Sequence, residues 1–139
     1  MAAIRTITAQ TIMTEIDRMK LVSAVLMKCR KIQPQTTDEI ICLKYIELQK
    51  VVDVAAYLNN QELRIVTEKN TQRKYIANDI TAIFAKANNA FDGRHEIHAL
   101  AKDIYLYYKG KVNWNQIVHL CERINGILGI YFYLNKDIS

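Results

Sequence analysis

The sequence predicts an all-α protein, a single-domain bundle of five long helices with one or two short ones. The first observation is that the chain has only one Pro and four Gly, too few for the many turns of an all-β fold. The second is that apolar residues recur every three or four positions over long stretches, as on the face of an amphipathic helix. The third is that 139 residues, half of them apolar, suffice for one core, so we predict one domain over residues 1–139.

The first predicted helix covers residues 6–32. Pro34 follows it and cannot continue a helix. The apolar positions fall at helical spacing and predict one continuous buried stripe, formed by Ile12, Ile16, Met19, Val22, Leu26 and Cys29. Its length predicts packing along the whole bundle.

The second predicted helix runs from residue 37 to residue 58, with Thr36 or Thr37 as the N-cap and Asp38 and Glu39 in the first turn. Apolar residues cover most of its circumference, which predicts a helix that is either central or covered on two sides. After it we expect a short helix or turn over residues 63–66 and a polar loop over residues 67–71.

Three more helices complete the predicted bundle, over residues 71–91, 94–108 and 114–134. The last of these follows a turn at Gly110, and Asn113 stands where an N-cap is expected. One face of this helix is apolar and is predicted to be buried, with Trp114, Ile117, Val118, Cys121 and Ile124.

The composition limits the classes of function. The net charge is +5, but basic residues are spread along the chain, which disfavours nucleic-acid binding. Three cysteines without a Cys-x-x-Cys motif are expected to be buried free thiols. No run of about 18 apolar residues is present, so we expect a cytoplasmic protein with at most a peripheral membrane contact.

No catalytic motif is found. The string His95-Glu96-Ile97-His98 has neither the spacing nor the third ligand of a zinc site. Gly-rich phosphate loops and nucleophile elbows are also missing from the sequence. We therefore expect no enzyme activity, no metal and no cofactor.

Aromatic residues are concentrated around the turn at Gly110. Tyr105, Tyr107, Tyr108 and Tyr131 accompany Trp114, the only tryptophan. Tyrosine and tryptophan are enriched at binding surfaces because they combine a large apolar area with a polar tip. Such residues also occur in the core of an ordinary amphipathic bundle, and the sequence leaves both interpretations open.

A known family resembles this segment. After the Gly turn, Val112, Asn113 and Trp114 followed by Ile117 and Val118 resemble the first homology region of the B-cell lymphoma-two (Bcl) apoptosis regulators. That region reads Gly-Val-Asn-Trp-Gly-Arg-Ile-Val. This chain has Asn115 for the Gly and Gln116 for the Arg that pairs with an Asp of the bound helix. The segment also resembles the second homology region of the same family, which reads Trp-x-x-aromatic-Val-x-Leu.

The resemblance implies a compact, virus-type Bcl protein in the cytoplasm of a host cell, including its mitochondrial surface. It would inhibit apoptosis by holding the amphipathic helix of a pro-apoptotic Bcl-family protein in a surface groove, with about four apolar anchors. The groove residues implied in this way are Tyr107, Tyr108, Asn113, Trp114, Gln116 and Ile117, with Ile80 and Phe84 as its floor. Asn113 would cap the helix and meet a polar group of the ligand, and Gln116 would replace the cation.

Two alternatives stay open at the level of sequence. One is a basic helical module that binds nucleic acid. The other is a structural homo-oligomer, such as a homodimer, that uses the Tyr-rich end together with Gly126 and Gly129, where two backbones can approach closely. The second alternative is compatible with a helix-binding groove.

Overall fold

The computed structural model describes residues 6–86 and 94–135, and it omits the side chains of residues 94–95 and 128–135. Within these residues the chain forms six helices and one small hairpin, so the all-α class is confirmed. The elements in chain order are α1 (Ala9–Cys29), α2 (Thr37–Leu48), α3 (Val51–Asn60), β1 (Ile65–Val66), β2 (Gln72–Arg73), α4 (Ala77–Ala85), α5 (Arg94–Tyr108) and α6 (Trp114–Asn135).

The core lies between two packed pairs of helices, α1 with α6 and α2 with α5, and α3 and α4 close one side. Its fully buried side chains come from every helix and include Val25, Tyr45, Leu58, Ile80, Leu100 and Cys121. At the centre the ring of Phe84 lies 4.9 Å from that of Tyr45 and 5.3 Å from that of Tyr105. The first of these contacts is edge-on and the second is tilted, and aromatic pairs of this kind stabilise a core by about 0.5–1.5 kcal/mol beyond their apolar burial.

Helices α1 and α6 run parallel. The Trp114 indole nitrogen donates to Glu15 Oε1 over 2.5 Å, and Lys28 Nζ donates to Asn125 Oδ1 over 3.0 Å. These contacts advance in the same direction along both helices. Since Glu15 contacts Trp114, the first residue of α6, the residues of α1 that precede Glu15 extend beyond the start of α6.

The predicted stripe of α1 is only half correct. Val22 and Cys29 are buried, as expected, together with Val25, which the stripe did not include. Ile12 and Ile16, however, are 38% and 43% exposed, because the buried face of α1 is centred on Val22, Val25 and Cys29 and these two residues lie outside it. The helix is also shorter than the predicted 6–32.

The single helix predicted over residues 37–58 is wrong. The chain breaks at Gln49, which has a left-handed backbone (φ 57°, ψ 24°), and at the extended Lys50, which precedes α3. The predicted start is confirmed, since the Thr36 hydroxyl accepts the Glu39 N–H over 3.2 Å.

The region after α3 also differs from its prediction. In place of a short helix or turn, Ile65 pairs with Arg73 and Val66 with Gln72 in an antiparallel hairpin. The helix predicted over residues 71–91 therefore begins later, at Ala77, and residues 87–91 of that prediction lie outside the described residues.

The last two helices lie where the sequence predicts them, since α5 has the predicted bounds 94–108 and α6 begins at Trp114. The three cysteines, Cys29, Cys42 and Cys121, are buried and free, as predicted. Burial raises the pKa of each of these thiols to about 12. Among the described residues, no helix combines the length and the apolarity needed to cross a bilayer.

Candidate partner-binding cavity

An apolar cavity of about 250 Å³ lies where α1, α5, α6 and the corner between α2 and α3 meet. Its walls are formed by Val22, Leu26, Gln49, Ile104, Tyr107, Tyr108, Trp114 and Ile117. Tyr108 is 61% exposed, so one rim of the cavity lies at the surface. A cavity of about 150 Å³ holds one benzene ring, so this one can receive one or two bulky apolar side chains.

The first turn of α6 positions the two cavity residues of that helix. The Asn113 side-chain oxygen accepts the Gln116 N–H over 2.9 Å, and the Gln116 side-chain oxygen accepts the Asn113 N–H over 2.8 Å. This reciprocal pair is a capping box, which fixes the start of a helix. Gly110 supplies the turn before it with a positive φ of 75°, a conformation that favours glycine.

Trp114 is anchored at its polar edge and leaves its ring against the cavity. Its indole N–H donates to Glu15 Oε1, and the other carboxylate oxygen of Glu15 lies 3.4 Å from Arg18 Nη1. Arg18 also donates to the side chain of Asn115. This small network joins α1 to α6 and fixes the orientation of the indole.

Tyr108 is anchored in a similar way on the other side of the cavity. Its hydroxyl donates to Gln49 Oε1 over 2.6 Å, and Gln49 Nε2 donates to the Ile46 carbonyl over 3.2 Å. The Tyr107 ring packs edge-on against Tyr108 with 5.8 Å between centroids. The two polar anchors, at Glu15 and Gln49, therefore hold aromatic rings around an apolar space.

The structure brings four of the predicted groove residues together around this cavity, namely Tyr107, Tyr108, Trp114 and Ile117. Asn113 and Gln116 are exposed beside it, and their side chains are engaged with each other's backbone in the capping box. Gln116 was predicted to take the place of a cation that pairs with the ligand. In the structure, the side-chain carbonyl oxygen of Gln116 is already used at the helix cap.

The two residues predicted as the floor lie elsewhere. Ile80 and Phe84 are 0% and 2% exposed, and neither lines this cavity. Phe84 belongs to the central aromatic cluster with Tyr45 and Tyr105. The inner wall is instead formed by the buried Ile104 and Val22.

Sequence reasoning missed the cavity residues of α1 and of the α2–α3 corner. Val22 and Leu26 belong to the buried stripe predicted for α1, and no contact is predicted for Glu15. On a helix, Glu15 falls between Val22 and Leu26 when the positions are projected down the axis. The position of the Glu15 carboxylate between two apolar residues is the one sequence signal that α1 provides a polar contact at the edge of the core.

Two residues of the string His95-Glu96-Ile97-His98, Glu96 and His98, serve the packing of α5. Arg123 of α6 binds the buried Glu96 carboxylate with nitrogen–oxygen distances of 2.7 and 2.8 Å. The buried His98 Nε2 lies 2.8 Å from the Ile83 carbonyl at the end of α4. The side chain of His95 is outside the described residues.

Comparison with known proteins finds no family model, no curated protein and no solved structure that matches the chain. A functional assignment therefore depends on the short Bcl-like segment and on the geometry around Trp114.

Proposed function

We propose that this protein binds an amphipathic helix of a partner protein and takes its apolar side chains into the cavity beside Trp114. The observation that carries the proposal is an apolar cavity at the surface with Tyr107, Tyr108 and Trp114 around it. It lies at the start of α6, in the same segment that resembles the Bcl homology region. By that resemblance the partner is a pro-apoptotic Bcl-family helix, and the protein inhibits apoptosis in the host cytoplasm or at the mitochondrial surface.

The size of the cavity sets how the partner binds. A volume of about 250 Å³ admits one or two of the four apolar anchors of such a helix. The other anchors would lie on the exposed rim, including the surface of Tyr108. We therefore expect affinities in the micromolar range, about −8 kcal/mol, weaker than those of a groove that buries all four anchors.

The charges next to the rim favour an acidic partner. Lys50 follows Gln49 in the chain, Lys109 follows Tyr108, and Lys111 precedes Val112, and all three lysines are exposed. In the Bcl family an Arg at the position of Gln116 pairs with an Asp of the ligand. Here we propose that these lysines supply the positive charge, as exposed charges that raise the association rate more than the affinity.

The test is a titration of labelled amphipathic peptides of the pro-apoptotic helix class, followed by fluorescence anisotropy. We expect saturable binding that weakens at least about tenfold, or 1.4 kcal/mol, in Tyr107→Ala and in Trp114→Ala. Tyr57→Ala is the matched control, because Tyr57 is a half-buried tyrosine that does not line this cavity. The absence of binding by every peptide at high micromolar concentrations would reject the proposal.

Nucleic-acid binding is not proposed. Several basic residues are already paired with acids, as in the pairs Arg30–Glu47, Arg73–Asp79 and Arg123–Glu96. Phosphate binding requires free cations along one surface and a steep loss of affinity with salt. The close approach of a second copy that Gly126 was expected to allow stays a prediction; among the described residues, the space beside Gly126 is open. The surroundings of Gly129 are outside the described side chains.

A further inference from the structure

Helix α1 has a second apolar face that the rest of the described chain does not cover. Met13 and Met27 are 61% and 60% exposed, and Ile12 and Ile16 are also exposed. Spacings of four and eleven residues are close to whole turns of a helix, so Ile12, Ile16 and Met27 share one face. The buried face, with Val22, Val25 and Cys29, points in a different direction.

Two opposite charges lie at one edge of this face, on either side of Met13 when the helix is viewed down its axis. Asp17 and Lys20 are both exposed, and neither takes part in an ion pair with any residue in 6–86 or 94–135. When two such helices pair antiparallel about a two-fold axis, equivalent flanks meet each other. Asp17 of one copy then faces Lys20 of the other, and the contact occurs twice. A parallel pairing about a two-fold axis instead brings opposite flanks together, so these two charges would not meet their equivalents in the other copy.

The same register aligns the apolar residues. When Asp17 is level with Lys20 of the second copy, Ile12 is level with the turn of the partner helix between Ser23 and Met27. In this register the branched side chain of Ile12 therefore opposes the small side chain of Ser23 and the flexible side chain of Met27. Methionine is well suited to such contacts because its unbranched side chain adapts to irregular surfaces.

A membrane surface fits this face less well than a second copy does. Interfacial helices carry lysines or arginines along the polar face that flanks their apolar residues. Here Asp17 stands next to Lys20, and Glu15 and Arg18 are engaged with each other and with α6. The charged residues beside this face are thus balanced between acids and bases. Such a surface is complementary in charge to the same surface of a second copy.

We propose that the protein forms an antiparallel homodimer through the exposed face of α1, with the Asp17–Lys20 pair formed twice across the two-fold axis. This surface is distinct from the cavity beside Trp114 and from the Tyr-rich end. Dimerisation is therefore independent of whether the cavity binds a helix, and each proposal can fail without the other.

The test is sedimentation velocity of the full chain over a wide range of concentrations, with variants of α1. We expect a concentration-dependent dimer in the unmodified protein and a rise of at least about tenfold in its dissociation constant in Ile16→Lys. Val52→Lys is the matched control, because Val52 is 66% exposed on α3 and a lysine there leaves α1 unchanged. Since both positions are exposed, neither change disturbs the core, and circular dichroism verifies folding.

The charge pair allows a sharper measurement. Asp17→Lys and Lys20→Asp should each weaken the dimer, and the double variant, in which the charges are exchanged, should restore it. A monomer at every concentration would overturn the proposal. So would a dimer that Ile16→Lys leaves unchanged, or single and double charge variants that dissociate alike.

Discussion

The hydrogen bond between the Trp114 indole and Glu15 joins residues that are distant in the sequence, over 2.5 Å. It holds one edge of the indole while the ring lines the cavity. Because Trp114 is the only tryptophan, its fluorescence reports directly on this contact. At the scale of residues, the proposed binding of a partner helix depends on the position of the Trp114 ring in the wall of the cavity.

Glu15→Ala removes the acceptor and leaves the indole N–H unpaired. We expect it to lower the free energy of unfolding by about 1–2 kcal/mol and to change the Trp114 emission. Glu15→Gln retains an acceptor oxygen and should cost less than half as much. Urea unfolding followed by circular dichroism measures both values. Equal losses in the two variants would show that the acceptor itself has no part in the effect.

The three cysteines should be unreactive in the folded protein. Burial raises the pKa of Cys29, Cys42 and Cys121 to about 12, so almost no thiolate is present at neutral pH, and thiolate is the reactive form. We expect a thiol reagent such as dithionitrobenzoate to label none of them in the native state and all three in urea. Rapid native labelling of any one would contradict the described burial.

The candidate residues could be predicted where they are close in sequence. Tyr107, Tyr108, Trp114 and Ile117 lie within eleven positions, and all four line one cavity. The contributions of Val22 and Gln49 could not be found in this way, because they depend on which helices become neighbours. Ile80 and Phe84 were assigned by analogy with a groove, and their apolar character fits a buried core equally well.

At the scale of elements, the start of α4 depends on Asp79. Its carboxylate accepts two hydrogen bonds from Arg73, at 2.7 and 2.8 Å, and the Ile76 N–H over 2.8 Å. These contacts tie the hairpin to the first turn of the helix. The Arg73 hydrogen bond and, to a smaller extent, the Ile76 N–H lower the pKa of Asp79 against the effect of burial.

Asp79→Asn should therefore destabilise the protein in a pH-dependent manner. A carboxyl whose pKa is lower in the folded state stabilises it above the unfolded pKa of about 3.9, and this stabilisation is lost as the pH falls through the folded pKa. We expect a loss of about 1 kcal/mol at pH 7 that shrinks towards zero in strong acid. Thermal unfolding across this pH range measures it. Asp53→Asn is the control, since Asp53 is exposed in the first turn of α3. A loss of stability in Asp79→Asn that does not depend on pH would contradict a stabilising role of the Asp79 carboxylate.

Sequence predicts the elements that have strong end signals and fails where those signals are missing. Helix α6 is preceded by Gly110 and Asn113, and its start at Trp114 was predicted correctly. The break between α2 and α3 has neither Gly nor Pro, and Gln49 takes the left-handed conformation itself, which only tertiary packing can enforce. The two strands are two residues each, too short for an alternating pattern to be recognised.

At the scale of the whole molecule, the parallel packing of α1 and α6 underlies both the cavity beside Trp114 and the exposed apolar face of α1. Where the two helices meet α5, the side chains leave the cavity beside Trp114. On the outer side of α1, Ile12, Ile16 and Met27 lie exposed. The fold class follows from the composition, but this arrangement depends on contacts such as Lys28 with Asn125, which no local pattern indicates.

The proposed binding of apolar side chains of a partner helix in the cavity beside Trp114 can be tested by filling the cavity. Val22→Phe places a ring into space lined by Val22 itself and is expected to preserve folding. Titration of an amphipathic helical peptide should change the Trp114 emission saturably in the unmodified protein. In Val22→Phe we expect the affinity to fall at least about tenfold while circular dichroism stays unchanged. An unaltered Trp114 emission in the unmodified protein, or equal affinity in the filled variant, would contradict the binding of a partner helix in this cavity.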